Sequence, residues 1–321
     1  VELSGDELTD AFGFVFIPED WERANRDRDS KLRIARIVRS IAQAGLIIAS
    51  VVLAIVAWTR GKFAARLAFT TFGLLFVCMC ALAANNWPAI EFNFSTAQPL
   101  PLQRTIAIIA PLIGGLLASA AFALLGGYVV RLLPPSSLTV SRAARLGLAL
   151  GLAFAGASAT AAWLRLDQSP PWPPTHPAGT FSPFVGAILE SFSKIVSQSA
   201  IFLVLLALLN RLAHRRTLSV VVAFLSLTLL FLPTNAESLA AWLAETLVIG
   251  TVLTLVYLFL LRRGFTIVPF AIAALECGRL VGGALLGGYA RALPVAFVGA
   301  ITLLATAWLV TRTLHRAAAS S

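Results

Sequence analysis

Long apolar runs fill this chain from residue 38 to residue 311, and they constrain its fold more than any other feature. About 20 apolar residues in a helix cross the hydrocarbon core of a bilayer. The sequence predicts nine such spans, at residues 38–58, 64–84, 105–130, 144–164, 184–209, 217–232, 238–261, 265–288 and 293–311. The predicted fold class is therefore all-α, a polytopic transmembrane helical bundle of about nine spans.

Two predicted spans depart from the usual pattern. The run 217–232 is short, and 265–288 contains Pro269 and several glycines, which favour a broken, re-entrant segment. Small residues also recur four apart, as at Gly147 and Gly151, a spacing typical of closely packed membrane helices.

Composition supports a membrane protein and excludes other classes. Hydrophobic residues make up 58 % and charged residues 12 %, about half the charged share of a soluble domain. This excludes a disordered chain, a disulfide scaffold and an ordinary soluble enzyme. The net charge of +10 does not predict nucleic-acid binding, because the bases lie in short loops between apolar runs. The predicted partner is the lipid bilayer, and the sequence indicates no particular protein partner.

Arginine and lysine residues are distributed unequally between the two sets of loops. One set carries Arg60, Lys62, Arg66, Arg131, Arg142, Arg145, Arg211, Arg215, Arg216, Arg262, Arg263, Arg312 and Arg316. The other set carries Arg104, Arg165 and Arg291. The positive-inside rule then predicts an inner-membrane protein with its amino terminus outside and its carboxyl terminus in the cytoplasm.

The first 37 residues differ from the rest. Residues 1–29 hold nine acids against three arginines, and Val1–Phe16 has the pattern of a short β-like stump. Pro18 and the acids after it predict the start of a charged stalk helix that leads into the first span. We therefore divide the chain into 1–37, the end of an extracytoplasmic segment plus the stalk, and 38–321, the multispan membrane domain. An extracytoplasmic domain upstream of Val1 is a further predicted partner.

Few ionisable residues lie inside the predicted spans, and each is a candidate for a site because its burial is costly. They are Glu190, Lys194, Glu245, Glu276 and Arg279. Glu190 and Lys194 share a helix face and can pair, as can Glu276 and Arg279, whereas Glu245 has no local partner.

A polar stripe passes through the same part of the fifth span. It includes Ser191, Lys194 and Gln198. Two interpretations are open: a polar lining of a cavity, or an ion pair with hydrogen bonds that fix helix packing.

The sequence predicts no cofactor and no metal site. Cys78 and Cys80 lack the usual metal-ligand spacing, and the three histidines lie outside the predicted spans.

The start of the chain, VELSGDELTDAFGFVFIPEDWER, followed by a stalk and a multispan bundle, resembles bacterial membrane proteins grouped with the CPBP (CAAX-processing-type) intramembrane metalloproteases. The resemblance is closest at Val15–Trp21, where Pro18, Glu19 and Trp21 match the family's stalk. It implies an extracytoplasmic β-rich domain before the stalk.

The family's catalytic signature is only partly present. It consists of Glu-Glu-x-x-x-Arg on one span, with Phe-x-x-x-His and a further His motif on later ones. Glu190 and Lys194 have the spacing of the second Glu and the Arg, but Leu189 replaces the first Glu. Phe231–Asn235 ends in Asn rather than His. The resemblance therefore implies a divergent relative without the catalytic Glu-Glu and His motifs.

Three functions follow as hypotheses. The first is a non-catalytic CPBP-like membrane module that anchors, or couples to, an extracytoplasmic amino-terminal domain. The second is an intramembrane protease with an altered site, in which Glu190 and Lys194 are the candidate catalytic residues. The third is a small-solute or proton-coupled transporter that uses the same polar residues.

Overall fold

The structure is a computed structural model, and it describes residues 2–4, 7–10, 18–61, 63–95, 97–133, 138–164, 179–211, 216–230, 239–261, 264–285 and 291–319. These residues form an all-α fold with one small hairpin. The elements are β1 Glu2–Ser4, β2 Glu7–Asp10, α1 Glu19–Thr59, α2 Ala65–Asn85, α3 Trp87–Phe92, α4 Leu100–Val129, α5 Val140–Leu164, α6 Pro183–Arg211, α7 Arg216–Leu230, α8 Leu239–Val256, α9 Val268–Leu285 and α10 Ala292–Ala319. A π-helical turn, Tyr257–Leu261, follows α8, and a 3-10 turn, Phe265–Ile267, precedes α9.

The chain divides into two compact units. The first contains Val1–Ala44 and Phe224–Thr254, and the second contains Gly45–Ala223 and Leu255–Ser321.

In the first unit, β1 and β2 pair antiparallel with Leu3 opposite Leu8. The predicted β-like residues Ala11–Ile17 lie outside the described part of the chain, so a stump that ends a β-domain stays a prediction. Helices α7 and α8 pack closely in this unit, because a side chain at Gly250 would collide with Phe224 and Thr228.

Helix α1 joins the charged stalk to the first apolar run without a break. Its 41 residues rise about 60 Å at 1.5 Å per residue. The amino-terminal turns are exposed, and they carry ion pairs spaced four residues apart, Arg23 with Glu19 and Arg26 with Glu22. The stalk helix therefore agrees with the sequence-based prediction.

In the second unit, small residues bring neighbouring helices together. Gly147 and Gly151 of α5 lie against the α9 backbone, where an added Cβ at Gly151 would collide with the carbonyl oxygen of Ala271. The predicted packing role of this glycine pair is therefore confirmed. Later residues of α5 contact later residues of α9, so these two helices run parallel.

Helices α6 and α9 are the most enclosed spans of the second unit. About half of each apolar span is buried, 50 % for α6 and 56 % for α9, against 11 % for α2. The other spans expose large apolar side chains, such as Phe69, Leu117 and Ile301. A surface of this kind suits lipid rather than water. The charged residues of the predicted spans thus lie mainly on the two best-protected helices.

The number of spans differs from the prediction. Within the described residues, seven helices are long and apolar enough to cross a membrane, at Ser40–Thr59, Ala65–Asn85, Leu100–Val129, Val140–Ala157, Pro183–Arg211, Phe265–Leu285 and Ala292–Arg316. The other two predicted spans correspond to shorter apolar helices, Thr217–Thr228 and Thr246–Leu261. Helix α7, which contains the first of these, has 15 residues and rises only about 22 Å, short of the roughly 30 Å hydrocarbon core. The structure therefore does not support the prediction of nine spans.

Two further details of the prediction change. Pro269 does not break its span: it occupies the first turn of α9, where no N–H is needed, and the helix continues to Leu285. The last apolar span reaches Arg316 and so includes His315, which the sequence placed outside the spans.

Candidate functional site

A cavity of about 400 Å³ lies in the second unit and carries four charged side chains in its wall. Its walls come mainly from α6, α9 and α10, and Leu82 and Asn86 contribute from the end of α2. The charged lining residues are Glu190, Lys194, Glu276 and Arg279. The volume is typical of a small-ligand pocket.

The cavity lies towards one end of the second unit. Helices α2 and α9 end there, and α6 and α10 begin there. We call this the cavity end. Lys194 is 11 residues from the start of α6, and Glu276 is nine residues from the end of α9. At 1.5 Å per residue these positions lie about 14–17 Å inside the helix ends, which is close to half the thickness of a hydrocarbon core.

Glu276 is the centre of the charged lining. It is buried, with 5 % of its surface exposed. One carboxylate oxygen accepts a hydrogen bond from Nη1 of Arg279 at 2.8 Å, and the other lies 3.9 Å from Nζ of Lys194. We call these three residues the charged cluster. A buried carboxylate without a partner is disfavoured by several kcal/mol, so the two cations allow Glu276 to remain in the interior.

Two residues of the charged cluster lie on α9, and the third lies on α6. Glu276 and Arg279 are three residues apart on α9 and face the same side, as the sequence predicts. Lys194 reaches them from α6, which is a tertiary contact. The side chains of Lys194 and Arg279 are 45 % and 61 % exposed, so both cations remain available to a ligand in the cavity.

Of the two interpretations left open for the polar stripe, Glu190 lacks the ion pair with Lys194 and lines a cavity. Lys194 pairs with Glu276 rather than with Glu190, and no ion pair joins Glu190 to another described residue. The carboxylate of Glu190 instead belongs to the cavity wall, half-buried and one helical turn from Lys194. Among the described residues, the cavity therefore contains one carboxylate bound to cations and one without an ion pair.

Ser191 lies next to Glu190, buried where α6 meets α10. A Cβ added at Gly299 of α10 would lie 3.2 Å from the Ser191 hydroxyl oxygen and 3.0 Å from Leu280. The absence of a side chain at Gly299 therefore lets α6, α9 and α10 approach one another at the cavity wall.

The two remaining candidates are not placed in the site. Gln198 lies on α6 one turn beyond Lys194 and is not among the cavity-lining residues. Nearby, the hydroxyl of Ser197 donates to the carbonyl oxygens of Ser193 and Lys194, so this polar side chain is satisfied within its own helix. The side chain of Glu245 lies outside the described part of the structure.

Contacts between the end of α2 and the start of α6 were not predicted from the sequence. Asn85 at the end of α2 is buried, and its side-chain oxygen accepts from the N–H of Ser182 at 2.9 Å. Its backbone carbonyl accepts from the N–H of Phe181, also at 2.9 Å. These bonds tie the start of α6 to α2. The polar pair Asn85-Asn86, directly after an apolar run, was the sequence feature that could have indicated these contacts.

Among the described residues, no group of three or more His, Cys, Asp or Glu side chains could hold a metal ion. The charged cluster is instead suited to electrostatic binding. Its two cations can bind an anionic group, and Glu190 can bind a cation or exchange a proton.

The apolar spans define a class, a polytopic helical membrane protein. Comparisons with family models, with curated proteins and with solved structures return no match to this chain.

Proposed function

We propose that this protein is a non-catalytic membrane module that binds a small polar solute in its charged cavity. The charged cluster, in which Lys194 of α6 and Arg279 of α9 meet at the buried Glu276 beside an open cavity, is the observation that carries this proposal. Charges are costly in a membrane interior and usually mark a pathway or a site when they line a cavity.

The cavity end would face the extracytoplasmic side. The loops at that end contain Arg104 and Arg291, whereas the loops at the other end carry most of the bases. Helix α6 begins at the cavity end, and helix α9 ends there. The last residue of α6 and the first residue of α9 therefore lie on the same side, opposite the cavity end. Helices α7 and α8 therefore cross the bilayer together or not at all, and the predicted orientation of both termini is the same in either case.

Coupling to an amino-terminal domain would occur through α1. The unbroken helix from Glu19 to Thr59 connects the acidic amino-terminal region to the first span. The resemblance to CPBP proteins supports this part of the proposal, since those relatives carry an extracytoplasmic domain before the stalk.

Proton-coupled transport is a second candidate, and Glu190 favours it. A cavity-lining carboxylate without an ion pair in the described structure can gain and lose a proton as a solute binds. The altered-site protease stays a prediction. Its candidate residues Glu190 and Lys194 share the cavity wall, but they do not pair with each other.

Labelling of an introduced cysteine tests whether water reaches the cavity. The native Cys78, Cys80 and Cys277 are replaced by alanine, and Ala187 in the cavity wall is replaced by cysteine. We expect a polar maleimide to label Ala187→Cys in lipid nanodiscs, because only a hydrated thiol reacts quickly.

The matched control is Ala110→Cys, on the exposed surface of α4 within an apolar span, where lipid should block the reagent. We expect at least about tenfold slower labelling there, in keeping with the low reactivity of a thiol in apolar surroundings. Equal, slow labelling of both positions would contradict a solute-binding cavity.

A further inference from the structure

The charged side chains of the cavity wall form two groups, the charged cluster and the carboxylate of Glu190. In the charged cluster, two cations share the single carboxylate of Glu276, so one positive charge is left uncompensated. The carboxylate of Glu190 forms no ion pair with another described residue and supplies the compensating negative charge. The cavity wall therefore has a positively charged part, the charged cluster, and a separate negatively charged group, the Glu190 carboxylate.

The two parts lie at a short distance along α6. Glu190 and Lys194 are four residues apart, about 6 Å along the helix axis. A ligand with an ammonium group and an anionic group a few atoms apart can therefore contact both, with one charged hydrogen bond at each end.

The rest of the cavity wall is largely apolar. Leu280, Val295 and Leu303 line it together with several alanines. This surface favours a ligand with an apolar body attached to its charged groups, because burial of that body releases water from both surfaces.

We infer that the cavity binds a zwitterion with an apolar body, its ammonium group on Glu190 and its anionic group on Arg279 and Lys194. This inference rests on the proposed function and specifies its ligand class. An apolar α-amino acid and an aminophospholipid, with its headgroup and acyl chains, both have this chemistry, and the experiment separates the two sources.

Binding to the unaltered protein is measured by calorimetry in detergent. The first set of probes is L-leucine, isoamylamine, which lacks its carboxylate, and 4-methylpentanoate, which lacks its ammonium group. The second set is dihexanoyl phosphatidylethanolamine and dihexanoyl phosphatidylcholine, whose quaternary ammonium cannot donate a hydrogen bond. We expect one zwitterion with a primary ammonium to bind at least about tenfold more tightly than its own analogues.

Charge-removing variants assign each end of the ligand. Glu190→Gln should weaken binding of the zwitterion about tenfold or more and leave the weak binding of 4-methylpentanoate unchanged. Arg279→Gln should weaken both. The matched controls are Glu91→Gln and Arg104→Gln, which remove the same groups from an ion pair outside the cavity. Thermal melting of each variant confirms that it is folded.

The outcomes separate the inference from the proposed function. Tight binding of leucine supports an amino-acid ligand, and tight binding of phosphatidylethanolamine alone supports a lipid headgroup. Equal binding of a zwitterion and its analogues, or no binding of any probe, overturns the inference. If Ala187→Cys is nevertheless labelled rapidly, the solute-binding cavity itself stands.

Discussion

At the scale of single residues, Glu276 brings the charged side chains of the cavity wall together. Its burial requires partners, and it obtains one from its own helix and one from α6. The Arg279 contact follows from a spacing of three residues and was visible in the sequence. The Lys194 contact could not be predicted, because it depends on how α6 and α9 pack. Local spacing allowed a pair between Glu190 and Lys194, and the structure pairs Lys194 with Glu276 instead.

A double-mutant cycle distinguishes the two possible partners of Lys194. We expect Lys194→Gln and Glu276→Gln to be coupled by about 0.5–1.5 kcal/mol in the free energy of unfolding, since the pair is partly buried. The measurement is denaturation by SDS in mixed micelles. The control cycle of Lys194→Gln with Glu190→Gln should give a smaller coupling. A larger coupling to Glu190 would contradict the charged cluster.

At the scale of helices, small residues decide how closely the charged spans approach their neighbours. Gly147 and Gly151 let α5 contact the α9 backbone, and Gly299 lets α10 approach α6 and α9. The Gly299 contact brings α9, the helix that carries Glu276, close to α6. The spacing of the α5 glycines predicted a packing role. Their partner helix was not predictable, because a small residue can pack against the backbone of any helix.

Substitution of Gly151 by alanine tests this packing. We expect Gly151→Ala to lower the free energy of unfolding by about 1–3 kcal/mol, because the added methyl group collides with the α9 backbone. The control is Gly282→Ala, where an added Cβ meets nothing within 4 Å. Unfolding by SDS compares the two variants. Equal stability would show that α5 and α9 are not in close contact.

At the scale of the whole molecule, the apolar runs made the membrane class predictable from sequence. The prediction of nine spans is not supported, because within the described residues seven helices are long and apolar enough to cross a membrane. The run 217–232 contains a helix of only 15 residues, Arg216–Leu230. Charges inside spans are rare, so the sequence could single out these residues, and their role in a site stays a prediction. The cavity is lined by Glu190, Ser191, Lys194, Glu276 and Arg279 but not by Gln198.

The central proposal is that the chain crosses the bilayer several times and presents the cavity end to the extracytoplasmic side. Two matched substitutions test it: Ser95→Cys in the loop at the cavity end, and Ser141→Cys near the start of α5 at the opposite end, both exposed. Each is made in the variant without native cysteines, and spheroplasts are treated with a membrane-impermeant maleimide. We predict that Ser95→Cys is labelled at once and that Ser141→Cys is labelled only after lysis. Labelling of Ser141→Cys in intact spheroplasts would contradict this account.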